Sequence, residues 1–154
     1  MNTKDMNGIN IIKTLCVGLI SAMLLAGCGG NDNQTLESYF SSNESARDSV
    51  VGEINGQFES TGAKSSVDIH DDVITVTVDI TELAKEQGVQ KTNKNVDTFK
   101  KEFDGTFSAR SSVFENSLSA LASKVHSGSI EMKVKIIWED DTIFSTSFTG
   151  VASK

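Results

Sequence analysis

Two runs of strict alternation constrain this chain more than any other feature. In the first, Val67 and Ile69 alternate with Ser66, Asp68 and His70. After Asp71-Asp72, Ile74, Val76, Val78 and Ile80 alternate with Thr75, Thr77 and Asp79. A period of two carried by β-branched residues is the signature of a strand with one buried face. A two-residue turn at Asp71-Asp72 sets Ile69 opposite Ile74 and Val67 opposite Val76, so all four share that face. In the second run, Ile130, Met132, Val134, Ile136 and Trp138 alternate with Glu131, Lys133, Lys135, Ile137 and Glu139. It is followed by Ile143 to Gly150, in which Phe144, Thr146 and Phe148 share a face. Placing Phe144 opposite Ile136 and Phe148 opposite Met132 requires an odd number of residues in the loop. A three-residue loop, Glu139-Asp140-Asp141, is therefore expected.

Helical spacing precedes each hairpin. Thr35 is placed as a cap before Leu36, Tyr39 and Phe40. Asn43 caps again before Ala46, Val50, Ile54 and Phe58, which recur every four residues with Val51 beside them. Gly52 and Gly56 lie on a different face and read as tolerated rather than as a backbone contact. Thr61-Gly62-Ala63 ends this helix. Thr81 to Glu86 predicts a short helical turn closed by Gly88. Asn95 is expected to cap one long helix carrying Val96, Phe99, Phe103, Phe107, Phe114, Leu118, Leu121 and Val125. That stripe is interrupted at Gly105 and at the polar run Arg110-Ser111-Ser112, with a bend expected near Gly105 and a stop at Gly128. The expected fold is α+β: a two-layer sandwich with a four-stranded antiparallel sheet and two main helices on one face, in tandem α-β-β order. The other sheet face would carry Ser66, Asp68, Thr75, Thr77, Glu131, Lys133, Lys135, Ser145 and Ser147, solvated unless a partner covers it.

The N-terminal region carries an address. A weakly cationic start with Lys4, Asp5 and Lys13 leads into the apolar run 14–26, in the length range of a signal-peptide core and short for a bilayer span. It closes on Leu25-Ala26-Gly27-Cys28, which resembles the lipobox of bacterial lipoproteins. That resemblance implies cleavage between Gly27 and Cys28 and a diacylglyceryl group, with a palmitate-type acyl complement, on the Cys28 sulfur. Two acyl chains anchor stably where one binds only marginally. The expected organisation is a removed signal peptide over 1–27, the lipidated cysteine and a short tether over 28–34, and one globular domain over 35–154. Localisation is then the exported side of the cell membrane. The segment Thr35-Leu36-Glu37-Ser38-Tyr39, with Val73-Ile74-Thr75-Val76 after an acidic turn, resembles small uncharacterised lipoprotein domains of Gram-positive bacteria. This covers mainly residues 35 to 80 and implies no catalytic residues.

Charge narrows the partners. The chain of 154 residues has 14 Lys and Arg against 21 Asp and Glu, a net charge of −7. Removal of 1–27, with its two Lys and one Asp, makes it −8. That sign opposes nucleic acid, where affinity comes largely from neutralising phosphates. The two cysteines are Cys16, in the removed segment, and Cys28. The exported domain therefore has no disulfide and depends on its core.

Catalytic furniture is sparse. His70 stands with Asp68, Asp71 and Asp72 beside a turn, and Asp68-His70-Asp72 could ligate a divalent cation. Turn chemistry favours Asp-Asp there without a metal, so a metal-dependent hydrolase is only the alternative reading. Glu139-Asp140-Asp141 poses the same choice. His126, after Lys124-Val125, suits a helix C-terminus. Serines are abundant, but none lies in a Gly-x-Ser-x-Gly elbow. Trp138 and Phe144 near the second hairpin tip, and the ridge Phe99, Phe103 and Phe107, are expected in the core. No catalytic residue, metal or cofactor is assigned. The expectation is a non-enzymatic, lipid-anchored envelope domain that binds an unidentified envelope protein or surface ligand. An inhibitor or immunity lipoprotein is a further alternative.

Overall fold

The alternating runs form two β-hairpins, as the period-two pattern requires. In the computed structural model, which describes residues 34–59 and 61–153, the first hairpin is β1 (Lys64–His70) and β2 (Val73–Asp79). Ile69 faces Ile74 and Val67 faces Val76 across it. The turn at Asp71-Asp72 has the expected two residues, and Asp71 takes a φ of +51°, a conformation that Asp tolerates better than most residues.

The second hairpin is β3 (Ser129–Trp138) and β4 (Asp141–Val151). Met132 faces Phe148 and Ile136 faces Phe144, as burial of the phenylalanines demanded. The expected three-residue loop is corrected. Trp138 pairs with Asp141, so the loop is Glu139-Asp140, with φ values of +50° and +66°. The odd residue sits instead in a register shift at Ile136/Ile137, where Ile136 faces Phe144 and Ile137 faces Thr142. A bulge adds one residue to one strand and so turns the following side chains over. Ile143 is thereby buried beside the half-buried Phe144.

Five helices lie among the described residues: α1 (Leu36–Ser42), α2 (Glu44–Glu59), α3 (Thr81–Glu86), α4 (Asn93–Ala109) and α5 (Ser111–Val125). Thr35 caps α1, its Oγ1 accepting from Ser38 N at 3.1 Å. Asn43 serves the helix before it, donating from Nδ2 to Tyr39 O at 2.9 Å. Val50, Ile54 and Phe58 of α2 are buried, while Gly52 and Gly56 have open space around them. The short helix α3 and Gly88, at φ +65°, match the expected turn.

The single long helix is corrected at both its cap and its bend. Thr92, not Asn95, caps α4, accepting from Asn95 N at 3.2 Å. Gly105 lies inside α4, and the chain breaks at Arg110. Arg110 N donates to Phe107 O, and Arg110 O accepts from Val113 N and Phe114 N. At about 1.5 Å per residue, α4 and α5 in line would reach about 48 Å, whereas the ten-residue β3 spans about 33 Å. A straight helix of that length overruns the sheet.

The sheet order is β1-β2-β3-β4, and β2 pairs with β3 in parallel, which corrects the all-antiparallel expectation. The cause is the path of the helices. Phe99 meets Trp138, Phe103 meets Phe144, Phe107 and Phe114 meet Phe148, and Leu118 reaches Gly150. The pair α4 and α5 thus runs once along the sheet, from the end where β2 finishes to the end where β3 begins. One traverse of this kind joins parallel strands. The fold is therefore α+β with a mixed, mostly antiparallel sheet.

Ile74, Val76 and Val78 of β2 and Ile130, Met132, Val134, Ile136 and Trp138 of β3 are buried to 1% exposure or less. The alternate residues Ser66, Asp68, Lys133, Lys135, Ser145 and Ser147 are exposed. Trp138 and the phenylalanine ridge thus lie where the sequence placed them, in or against the core.

Candidate functional site

Cys28, with the expected cleavage position at Gly27 and Cys28, lies outside the described residues, as does all of 1–27, expected to be a signal peptide. Among the described residues no helix is long and apolar enough to cross a membrane.

The first hairpin tip separates residues that the sequence had grouped. Asp72 turns toward the helices. Its Oδ1 accepts from Leu36 N at 2.8 Å and from the Ser127 hydroxyl at 2.9 Å, and Asp72 O accepts from Glu131 N at 2.9 Å. Ser127 is itself buried. Asp72 therefore ties α1, the β1–β2 turn and the α5–β3 connection together. Asp68 is exposed on the strand. What gathers around His70 is Glu37 and Asp71. His70 Nδ1 is 3.1 Å from Asp71 Oδ2 and 3.9 Å from Glu37 Oε2, and all three side chains are exposed. Glu37 also holds the turn backbone, its Oε2 accepting from Asp71 N at 2.7 Å and its own N–H donating to Asp71 O at 2.8 Å. Glu37 was missed in the metal grouping because nothing in sequence spacing links residue 37 to residue 71.

The second hairpin tip holds a cation. Lys91 Nζ donates to Asp141 Oδ2 at 2.6 Å and lies 3.9 Å from Glu139 Oε2. The hydrogen bond from Lys91, and then its charge, hold the Asp141 carboxyl below the ordinary aspartate range. His126 is the C-cap of α5 at φ +57°, its N–H donating to Ala122 O.

Two recesses are open to solvent. A shallow groove of about 320 Å³ crosses β3 and β4 on the exposed side of the sheet, lined by Lys133, Val134, Lys135, Ser145, Thr146 and Ser147. Lys133 lies 3.7 Å from Glu131. A second recess, of about 300 Å³, lies beside the end of β1 between α1 and α2. Phe40, Ile69, Glu37, Ser41, Glu44 and Arg47 line it. The two recesses differ in chemistry: the groove presents lysines and hydroxyls, the cleft carboxylates around apolar carbon.

Gly150 is a structural determinant that the sequence reading passed over. A Cβ there would stand 2.1 Å from Ser119 N and 2.3 Å from Leu118 C, both backbone atoms of α5. A glycine inside an otherwise continuous strand run was the available signal. Beyond it, Val151 N donates to Ser119 Oγ and Ser153 N to Ser123 Oγ, each at 3.0 Å. Compared with protein-family models, curated proteins and solved structures, the chain matches none of them.

Proposed function

We propose that this chain is a lipid-anchored cell-envelope protein on the exported side of the membrane, acting through binding rather than catalysis. The anchor is the diacylglyceryl thioether at Cys28, supported by Leu25-Ala26-Gly27-Cys28 after an apolar run. The observation that carries the binding reading is the exposed sheet surface with its groove of about 320 Å³ between Lys133, Lys135, Ser145 and Ser147. A surface of alternating lysine and hydroxyl residues offers donors in several directions, which suits recognition of a polar partner. On the same reading, sheet and helices form two layers in two successive α-β-β halves, with each hairpin following its own helical segment.

Two measurements test this. Mass spectrometry of the native protein should find a diacylated Cys28 as the first residue; a free thiol there, or an intact Met1, overturns the anchor. Capture from solubilised membranes should yield a stoichiometric partner that Lys133→Glu with Lys135→Glu releases. Repeated recovery of the protein alone overturns binding.

A second reading is a metal-dependent hydrolase at the first hairpin tip. It draws on the approach of Glu37, His70 and Asp71, whose ligand atoms lie within 4.8 Å of one another. Calorimetric titration with Ca²⁺, Mg²⁺, Mn²⁺ and Zn²⁺ tests it, and absence of heat with all four removes it. An inhibitor role would show in a screen against envelope proteases.

A further inference from the structure

We propose that the outer edge of β1 accepts an extended, basic peptide segment of a partner protein as an added strand, with the cleft beside Ile69 taking its cationic side chains. This rests on the binding reading above and adds to it a second surface, distinct from the Lys133–Lys135 groove, with its own class of partner.

The register defines the edge. A two-residue turn makes His70 and Val73 the closing pair, and hydrogen-bonded pairs alternate in an antiparallel ladder. Lys64, Ser66, Asp68 and His70 therefore direct their backbone groups to β2. Ser65, Val67 and Ile69 direct theirs away from the sheet. At the end of this row, the groups of Asp71 are taken by Glu37. Among the described residues, no backbone hydrogen bond outside the sheet ladder reaches Ser65, Val67 or Ile69. A row of unmatched N–H and C=O groups is a template for strand addition. At the opposite edge only the end is closed: the outward amides of Val151 and Ser153 are taken by Ser119 and Ser123. Among the described residues, no backbone hydrogen bond outside the sheet ladder reaches Ser145, Ser147 or Thr149, so charge has to distinguish the two edges.

Charge selects the occupant. Side chains of an added strand alternate between the two sides of the sheet. On the helix side they meet the cleft, where Glu37 and Glu44 offer carboxylates above the buried Phe40 and Ile69, with Arg47 the one cation in the lining. A lysine there carries its ammonium to the carboxylates at the rim. On the other side the strand passes the exposed Asp68. Around the Asp68–Ile69 end of the edge, the carboxylates of Glu37, Glu44 and Asp68 thus outnumber the cation Arg47, while the exposed Lys64 lies at the far end of the row. A second copy of this chain is a poor guest, because it carries a net charge of −7 and would set the same carboxylates against each other.

The test uses the full chain in non-ionic detergent and two short fluorescent peptides, one alternating lysine with threonine and the other glutamate with threonine. The lysine peptide should bind, more weakly as salt rises, and the glutamate peptide should not. Hydrogen exchange should show new protection at Ser65, Val67 and Ile69. Val67→Pro removes an outward N–H at an edge position where proline is compatible with a strand, and should weaken binding about tenfold. Glu44→Lys alters only the exposed rim and should weaken it by a similar factor, with melting temperature as the control on folding. Equal binding of both peptides, no binding of either, or indifference to both variants overturns the assignment. Protection at Ser145 and Ser147 instead also overturns it, yet leaves the binding reading standing. Loss of every partner in membrane capture defeats the reading itself.

Discussion

The end of the β4 edge and the β1 edge are treated in opposite ways. At β4, Gly150 lets the backbone of α5 approach so closely that no Cβ fits, and Ser119 and Ser123 take the outward amides of Val151 and Ser153. At β1, Glu37 holds only the turn residue Asp71, and the row Ser65, Val67, Ile69 faces an acidic cleft. The sealed end of β4 cannot recruit another strand, whereas open stretches, the β1 row and Ser145 to Thr149 of β4 alike, must be either protected or used. The difference teaches that sealing depends on a helix crossing at backbone contact distance. The helix α2, next to β1, reaches that strand through side chains, as in the Ser65 Oγ to Asn55 Oδ1 bond of 2.8 Å.

The comparison can be broken most severely at Gly150. Replacing it with Ala drives a methyl into Ser119 N and Leu118 C, and α5 must move. A loss of about 3 kcal/mol is expected, toward the upper end for overpacking, measured by denaturant unfolding. A loss under about 1 kcal/mol would show that α5 can shift freely and that the sealed edge is loosely held.

Asp72→Ala comes next. It leaves Leu36 N and the Ser127 hydroxyl without their acceptor, at a cost of about 2 kcal/mol. Asp72→Asn, which keeps an acceptor oxygen, should lose less. Hydrogen exchange should speed up at the β1–β2 turn and α1 while β4 stays protected; equal loosening of both edges would erase the contrast between them.

Ser119→Ala with Ser123→Ala should cost about 1 kcal/mol per hydrogen bond at most. Its sharper signature is faster exchange of the Val151 and Ser153 amides. The double variant would also extend the open part of the β4 edge to its end, read as concentration-dependent association in analytical ultracentrifugation.

The smallest effect is at the second hairpin tip, remote from the outward amides that distinguish the two edges. The Asp141 carboxyl titrates below the ordinary aspartate value because Lys91 binds its charged form. A lowered folded-state pKa contributes stability above the unfolded value, about 3.9, which is lost as pH falls through the folded value below it. Lys91→Met should cost a small amount of stability near neutral pH, since an exposed pair contributes little. The difference from the parent should vanish as pH falls through that window, flattening the acid limb. An unchanged acid limb would mean that the pair does not persist in solution.

Much of the fold was legible in the residues. Burial of one face fixed both hairpin registers, because a one-residue slip would send Val67, Ile69, Phe144 and Phe148 to solvent. The helix stripes identified Phe58, Phe103, Phe107, Phe114 and Leu118 as core. The register requirement at Phe144 was right, but parity alone cannot choose between an extra loop residue and a bulge. The fold resolved it with a bulge at Ile136/Ile137 and a two-residue turn. The interruption of the stripe at Arg110-Ser111-Ser112 was visible, but that it ends a helix was not, nor was the parallel pairing of β2 with β3, because both depend on how far two helices travel over a sheet of finite length. The candidate site was legible only as types of residue. Asp72 and His70 look equivalent in sequence, yet one faces Leu36 and Ser127 while the other remains in water.

What the sequence determined alone is local and periodic: which segments are strands or helices, which face of each is apolar, and which residues oppose one another within a hairpin. These follow from side-chain period and turn length, which act over a few residues. Tertiary structure decided the relations between distant segments: the parallel joint between hairpins, the contact of α5 with Gly150, the link from Glu37 to Asp71, and which outward amides at the sheet edges find partners. Each of these is set by the three-dimensional path of a long connection, which no period in the sequence encodes.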